Sequence, residues 1–442
     1  MPPSSDFATP VEPTCLIAPA TPVDESETWA ADIKRREPWN FNILSAYQVL
    51  MRTGWIFKTE SIIMPAVLDS LGGSAWMRGC LPLLNRFGQS IPPLMLSRRI
   101  KITRRKKWAL TICTTMMSVV FLLLSTIWLA TGNASYGWMS PAFMALYALF
   151  FISTGVNQLS FSTLQGKLIG VTRRGRLLLV ASLFGAATAI LAAWKLLPLW
   201  LQVDGSNFAM IFGFTGVVFA MAAVVAAMAS EPPDSFQEPR SSFPRLFQVA
   251  WITLRKDRNF ARLAVVAALF NCSMMLFPHY QALGRAGQDS LDLSVLIGWV
   301  IVQNAGTALF SMLLGPIADW RGNRLVLRFL MPTICVAPLL SLILARWGTD
   351  SSGWFALVFL FVGLTPLGIK TLQNYTLELA KPADHPRYLS ALNLCCAAPV
   401  LTSPLLGWSV DWWGFSVVFG GIAVLLIVGW LLTFTIHEPR HC

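Results

Sequence analysis

Charge is scarce in this sequence. Only 13% of the 442 residues are Asp, Glu, Lys or Arg, whereas 55% are hydrophobic, and an ordinary soluble domain carries about 25% charged residues. This composition excludes a soluble globular protein and predicts a polytopic membrane protein of the all-α class. Basic residues outnumber acidic ones by 34 to 22. In a soluble protein this balance would suggest nucleic-acid binding, so the placement of the basic residues along the chain has to be considered.

Motifs for catalysis and for metal binding are also missing. The eight cysteines lie mostly inside apolar segments and have no metal-ligand spacing, so we predict neither a metal site nor a disulfide framework. The sequence has no phosphate-binding Gly-Lys-Ser/Thr loop, nucleophile triad or pair of carboxylates, and no hydrophilic loop is long enough to hold a catalytic centre. We therefore expect a protein that is not an enzyme and that needs no cofactor.

Long apolar stretches are what the sequence does contain. Twelve of them approach the ~20 residues that a helix needs to cross a bilayer, and they form two sets of six. We expect a disordered cytoplasmic tail over residues 1–38 and a six-helix bundle over 39–230. A linker over 231–260 follows, in which a Pro-rich start precedes an amphipathic surface helix. The second six-helix bundle covers 261–442.

Lys and Arg crowd alternate loops, and cytoplasmic loops are the ones that retain them. Placing both termini in the cytoplasm puts the basic runs 98–107 and 167–176 there, while the opposite side keeps little beyond Arg78, Arg285 and Arg346. The excess of basic residues then indicates which loops are cytoplasmic, and we expect no nucleic-acid partner. The predicted location is the plasma (inner) membrane, with the bilayer as a partner of a monomeric chain.

The two sets of six helices have matching residues, which predicts two pseudo-symmetric bundles. The spacing between Lys167 and Arg176 is repeated by Glu378 and Arg387. Asn85 and Gln303 each stand at the same distance before the loop that follows. A third match, at identical spacing, pairs Asp204, Phe208, Phe212 and Glu231–Pro232 with Asp411, Phe415, Phe419 and Glu438–Pro439.

A charge-dense segment at residues 315–324 separates two of the apolar stretches. Its pattern Gly-x-x-x-Asp-x-x-Gly-x-Arg predicts a tight loop in which Gly315 and Gly322 permit the turn. Between two spanning helices, this pattern resembles the loop motif of the major facilitator superfamily, whose architecture is two parallel repeats of six helices. The resemblance covers residues 40–440 and implies a secondary active transporter that works by alternating access.

The resemblance also implies a cytoplasmic gate. In it, Asp319 would face the start of the fifth helix, and Arg324 would pair with Glu378. The first half has Lys101 and Lys167 where acids would be expected, so only the second half is predicted to form this network. The gate and motif residues are Gly315, Asp319, Arg321, Gly322, Arg324, Glu378, Arg387 and Arg176.

A central cavity should contain the ionisable residues that lie deep in the helices, because a charge at mid-membrane costs ~2.5–3.5 kcal/mol and needs a reason. Lys58, Glu60, Arg86 and Lys370 lie near the centres of their spans, whereas Arg52 is placed nearer an end. Residues two apart on a helix point about 200° apart, so Lys58 and Glu60 are not both expected to face the cavity. The cavity candidates are Lys58, Glu60, Arg86, Gln89, Asn157, Gln158, His279, Gln303, Asn304, Lys370, Asn374 and Asn393.

The cations among these candidates predict an anionic or acid-bearing substrate, and Glu60 is the expected proton site. A proton on Glu60 would release Lys58 to bind the anion. Drug or metabolite efflux is an alternative, although the fifth helix lacks the Gly-Pro motif that the resemblance associates with many drug/proton antiporters. A membrane sensor or assembly factor that keeps the fold without moving solute is another alternative.

Overall fold

The computed structural model describes residues 25–132, 134–201, 208–233, 243–285, 293–347, 353–380 and 385–437, and these contain helices and no strand. The prediction of an all-α fold is confirmed. The helices, in chain order, are α1 (Glu25–Ile56), α2 (Ile63–Ser70), α3 (Ala75–Ile102), α4 (Lys106–Thr131), α5 (Met139–Leu168), α6 (Val171–Leu201), α7 (Phe208–Ala227), α8 (Phe243–Lys256), α9 (Arg258–Met275), α10 (Phe277–Arg285), α11 (Leu293–Arg321), α12 (Asn323–Ala345), α13 (Ala356–Val362), α14 (Thr365–Leu379), α15 (His385–Val400) and α16 (Ser403–Thr433).

Nine segments of the described chain are long and apolar enough to cross a membrane. The last of them, Arg387–Thr433, is 47 residues long and holds two passes, because α16 turns at Gly414, where φ is 74°. The pass made by α1 with α2 and the pass made by α3 lie outside these nine segments. The arrangement is compatible with the predicted twelve. We call the side that carries the beginning of α1 and the end of α16 the terminal side, and the opposite side the distal side.

The predicted disordered tail is too long at its C-terminal end. Helix α1 already begins at Glu25, and residues 1–24 lie outside the described part of the chain. Arg36 pairs with Asp32 one turn earlier at 2.8 Å, and it also donates a hydrogen bond of 2.8 Å to the hydroxyl of Ser230. The partner that stabilises this part of α1, Ser230, follows the last helix of the first bundle. The composition of the N-terminal segment alone does not reveal a contact so distant in the sequence.

The internal repeat extends to hydrogen bonds. The side chain of Asn40 binds the backbone of Ser230 twice: its Nδ2 donates to the carbonyl at 3.0 Å, and its Oδ1 accepts from the N–H at 2.8 Å. Asn259 binds the backbone of His437 in the same way, at 3.2 and 3.0 Å. In each bundle, an asparagine of the first helix therefore binds the backbone of the segment that directly follows the last helix.

The segment 315–324 is not the loop that its glycines predict. Helix α11 continues through it to Arg321, and α12 begins at Asn323. Only Gly322 breaks the helix, with φ at 87°, a conformation that glycine adopts without steric penalty. One left-handed residue is enough to reverse the chain, so Gly315 remains helical.

The first bundle has its own charge network on the terminal side, contrary to the prediction. Lys167 pairs with Glu231 at 2.9 Å, and the two side chains are 6% and 0% exposed. The backbone N–H of Lys107 donates to the other oxygen of Glu231 at 2.8 Å. The sequence pattern predicts an acid at the position that Lys167 occupies in α5, whereas the acid of this network is Glu231, which follows α7.

The amphipathic helix α8 packs against the second bundle. Arg387 of α15 donates from Nε to the hydroxyl of Thr253 at 2.6 Å, and the neighbouring Tyr388 donates to Asp257 at 3.2 Å. Trp251 and Ile252 stay exposed on its outer face. Arg387, a predicted gate residue, thus holds the linker helix.

Candidate functional site

Four of the described passes are interrupted between two helices. One interruption, at Leu401 and Thr402 between α15 and α16, lies away from the cavity wall, and the other three border the centre of the molecule. Residues 57–62 separate α1 from α2, Leu276 separates α9 from α10, and Gly363 with Leu364 separates α13 from α14. Unwound backbone at membrane depth is tolerated where it borders a cavity, and residues in or directly beside each of these three interruptions line one central cavity of about 660 Å³. A proline follows in the first turn of each resuming helix: Pro65, Pro278 and Pro366.

Most predicted cavity residues line this cavity, and three do not. His279 is fully buried on the distal side, close to Arg78, because it lies beyond the interruption that contributes to the cavity wall. Asn374 and Asn393 are exposed outside the wall, since depth in the membrane does not fix the rotation of a helix. The predicted residues in the wall are Lys58, Glu60, Arg86, Gln89, Asn157, Gln158, Gln303, Asn304 and Lys370.

Lys58 and Glu60 both line the cavity, contrary to the prediction that they would not both face it, and their side chains form an ion pair. They stand in the interruption between α1 and α2, so the helical angle between them does not apply. Their charged atoms are 3.2 Å apart, and the side chains are 1% and 12% exposed. The ammonium of Lys58 also lies 3.5 Å from the ring centre of Trp55. The second oxygen of Glu60 accepts a hydrogen bond of 2.6 Å from Asn85, which in turn accepts one from Gln89.

Three hydrogen bonds join the described halves of the molecule at the centre. Arg86 of α3 donates from Nη2 to Oδ1 of Asn271 on α9 at 2.5 Å and to the sulfur of Met274 on the same helix at 2.9 Å. Ser61 donates to Oε1 of Gln303 on α11 at 2.6 Å. Polar groups buried in a membrane need such partners. Arg86 and Gln303, which the sequence predicts as substrate-cavity residues, therefore also connect the two halves in the present state.

Arg52 is the main functional candidate that the sequence reasoning missed. It lines the cavity, as do Gln48 and Trp55, and the three recur at the spacing of one helical face. That periodicity is the signal that could have placed Arg52. The described cavity wall therefore carries four cations, Arg52, Lys58, Arg86 and Lys370, against the single carboxylate of Glu60.

The cavity opens toward the terminal side. Its wall reaches Gln48 of α1 and Ser162 of α5, which lie in the terminal halves of their helices. On the distal side, Asp69 of α2 joins both halves, because it pairs with Arg78 of α3 at 2.5 Å and with Arg285 of α10 at 3.5 Å. Solute in the central cavity thus has access from the terminal side.

The predicted gate residues lie at the terminal ends of the helices. Glu378 accepts a hydrogen bond of 2.8 Å from Asn323, and Arg324 donates to the carbonyl of Ile436 at 3.2 Å. The side chain of Asp319 lies outside the described part of the structure, so its predicted contact stays a prediction. Of the remaining gate residues, Arg321 packs on the ring of Trp320 and Arg176 is exposed.

Comparison with known proteins agrees with this architecture. No curated protein matches the chain significantly. A variant of the nucleoside transporter NupG superimposes with a TM-score of 0.68 at 12% identity, over 91% of this chain and 100% of that one. A bacterial homologue of the human lysosomal transporter Spinster, inward-facing and unoccupied, gives 0.62 at 12% identity over 90% and 97%. A POT family transporter in complex with 5-aminolevulinic acid gives 0.67 at 13% identity over 90% and 96%.

Identities this low show a shared fold and leave the substrate undetermined. The family is shown by a sequence model described as Major Facilitator Superfamily, which matches residues 90–398, more than half of the chain. With its apolar helices, the chain is an integral membrane protein that belongs to the major facilitator superfamily.

Proposed function

We propose that this protein is a secondary active transporter that carries a small anionic or acid-bearing solute by alternating access, coupled to protons. The observation that carries the proposal is the excess of four cations over one carboxylate in the described cavity wall. A cleft lined by one sign of charge and bounded by low-dielectric walls raises the local concentration of the opposite ion. A guanidinium can also bind a carboxylate or phosphate through two parallel hydrogen bonds.

Proton coupling follows from the pairing of Lys58 with Glu60. Lys58 is 1% exposed, and a buried ammonium without a counter-charge is strongly unfavourable. Protonation of Glu60 removes that counter-charge, so a substrate anion then becomes the favourable partner of Lys58. Binding of the proton and binding of the anion therefore assist each other, and the assistance is reciprocal.

The basic loops support a topology in which both termini are cytoplasmic. The terminal side is then the cytoplasmic side of the plasma (inner) membrane, and the cavity is open inward. Like the monomeric state, this orientation is part of the proposal. Labelling of single cysteines introduced at Arg104 and at Tyr136, on the terminal and distal sides, in intact cells should separate the two faces.

Flux into proteoliposomes tests the proposed function. We expect uptake of organic anions, stimulated by an inward proton gradient, and little uptake of cations or neutral sugars. Arg86→Gln and Lys370→Gln should lower anion uptake. The matched control is Lys195→Gln, because the ammonium of Lys195 packs on Trp194, away from the cavity wall.

Glu60→Gln should separate transport from coupling. With a permanently neutral side chain at this position, exchange of anions should continue while accumulation driven by a proton gradient is lost. The proposed function is wrong if only a cation or a neutral solute is carried, and the coupling is wrong if Glu60→Gln keeps full proton-driven accumulation.

A further inference from the structure

Two of the cavity cations occupy matching depths in opposite halves. Arg52 stands five residues before the interruption that begins at residue 57, and Lys370 stands six residues after Leu364, where its interruption ends. At 1.5 Å of rise per residue, they lie about 7.5 Å and about 9 Å to the terminal side of their interruptions. Both line the same cavity on its terminal half, and they lie close enough for their charges to interact.

These two cations lack the partners that the other two have. Lys58 pairs with Glu60, and Arg86 is bound by Asn271. For Arg52 and Lys370, no hydrogen bond or ion pair occurs within the described part of the chain, and their positive charges repel one another. Glu60, the one carboxylate in the described wall, is already engaged by Lys58 and Asn85.

Gly185 of α6, which has no side chain, allows Arg52 to occupy this position. Its aliphatic stem crosses Gly185 of α6 so closely that a Cβ at that glycine would come within 3.0 Å of Cδ. The stem is therefore held against α6, and the guanidinium is available to the cavity. Water can solvate this cation while the cavity is open, whereas closure excludes the water, and an unpaired cation at this depth is then unfavourable unless a ligand pairs with it.

We propose that Arg52 and Lys370 form an anion clamp, in which each half of the molecule presents one cation to the same bound carboxylate or phosphate group. The clamp rests on the proposed transport function and adds to it the contact that permits closure. Without an anion, closing the terminal side brings two like charges together in a low-dielectric space, where the repulsion is strengthened. With an anion between them, both contacts become attractive.

The clamp has a kinetic consequence. The loaded protein closes its terminal side readily, whereas the empty protein closes it slowly. Exchange of one anion for another is then faster than net movement of the anion, because net movement requires the empty protein to return. A carboxylate or phosphate suits the clamp, since one oxygen can accept from the guanidinium and another from the ammonium.

Charge reversal tests the clamp without any ligand. Spin labels at Arg104→Cys and Trp320→Cys, both exposed at the terminal side in opposite halves, report the separation of the halves by pulsed electron resonance in a background without native cysteines. We expect long distances in the otherwise unchanged protein. Arg52→Glu or Lys370→Glu turns repulsion into attraction, so each should raise the closed-to-open ratio at least about tenfold, which corresponds to ~1.4 kcal/mol.

The double variant Arg52→Glu with Lys370→Glu restores two like charges and should return the long distances. Lys370→Gln should give an intermediate population, and Lys195→Glu, outside the cavity wall, should change nothing. The clamp is refuted if the single reversals keep the original distances, or if the double reversal stays closed. Anion flux in proteoliposomes is measured independently, so loss of the clamp with retained flux, or a working clamp without anion flux, identifies which proposal has failed.

Discussion

Removal of the Asp69 carboxylate should open the distal side. Asp69 lies between two arginines, with Arg78 in the same half at 2.5 Å and Arg285 in the opposite half at 3.5 Å. Only the second of these pairs has to separate when the distal side opens. Asp69→Asn keeps the shape of the side chain and removes its charge, so it isolates the electrostatic contribution.

The magnitude follows from distance and exposure. Arg285 is 37% exposed and its contact is long, so this pair alone contributes no more than about 1 kcal/mol. Arg285→Gln should therefore change the distal-open population about fivefold or less. Asp69→Asn should do more, because it also leaves Arg78, which is 17% exposed, and Arg285 facing each other without a counter-charge. A change of about 1–2 kcal/mol corresponds to a factor of 5–30 in the ratio of states.

Spin labels at Tyr136→Cys and Trp354→Cys, exposed residues on the distal side of the two halves, would measure this population. Arg346→Gln is the matched control, because Arg346 is an exposed arginine on the same side without a described ion pair. The reasoning fails if Asp69→Asn leaves the distance distribution unchanged, or if Arg285→Gln has the larger effect of the two.

Two further predictions concern stability. Glu231→Gln should lower the free energy of unfolding by ~3–5 kcal/mol, because it leaves the 6% exposed Lys167 without its anion. Glu37→Gln should change the free energy of unfolding little, since its partner Arg173 is 50% exposed at a distance of 3.8 Å. Thermal unfolding in detergent compares the two variants, and equal shifts would contradict the burial argument. Asn40→Ala and Asn259→Ala each remove two hydrogen bonds, so each should lower the free energy of unfolding by ~1–3 kcal/mol. The two losses should add in the double variant, because the sites lie in different bundles. A large effect of only one substitution would argue against the equivalence of the two asparagines.

Fold class and bundle organisation were predictable because they depend on quantities that the sequence carries directly. The thickness of the bilayer fixes the length of each apolar stretch, and the duplicated chain repeats its spacings, as with Phe208 and Phe415. The depth of each charged residue could be counted along its span in the same way. Most of the predicted polar candidates consequently fall in the cavity wall.

What sequence reasoning missed depends on rotation and on interruption of helices. Asn393 has a suitable depth but faces away from the cavity, and only packing against neighbouring helices decides that. The interruption at residues 57–62 removes the angular argument that separated Lys58 from Glu60. Pro65 shortly after it was a usable signal, because proline lacks the N–H that a continuous helix would need there.

Each side of the molecule has a pair of cations from opposite halves, and the repulsion within the two pairs is compensated differently. On the distal side, the repulsion between Arg78 and Arg285 is offset by the built-in carboxylate of Asp69. On the terminal side, Arg52 and Lys370 share the cavity with one described carboxylate, Glu60, which is already engaged by Lys58 and Asn85. In the present state, closed distally and open on the terminal side, Asp69 compensates the distal pair of arginines, whereas the terminal pair lies in the open part of the cavity. In the proposed clamp, a substrate anion would supply on the terminal side the charge that Asp69 supplies on the distal side, and the solute itself would then be the component that allows the protein to change state.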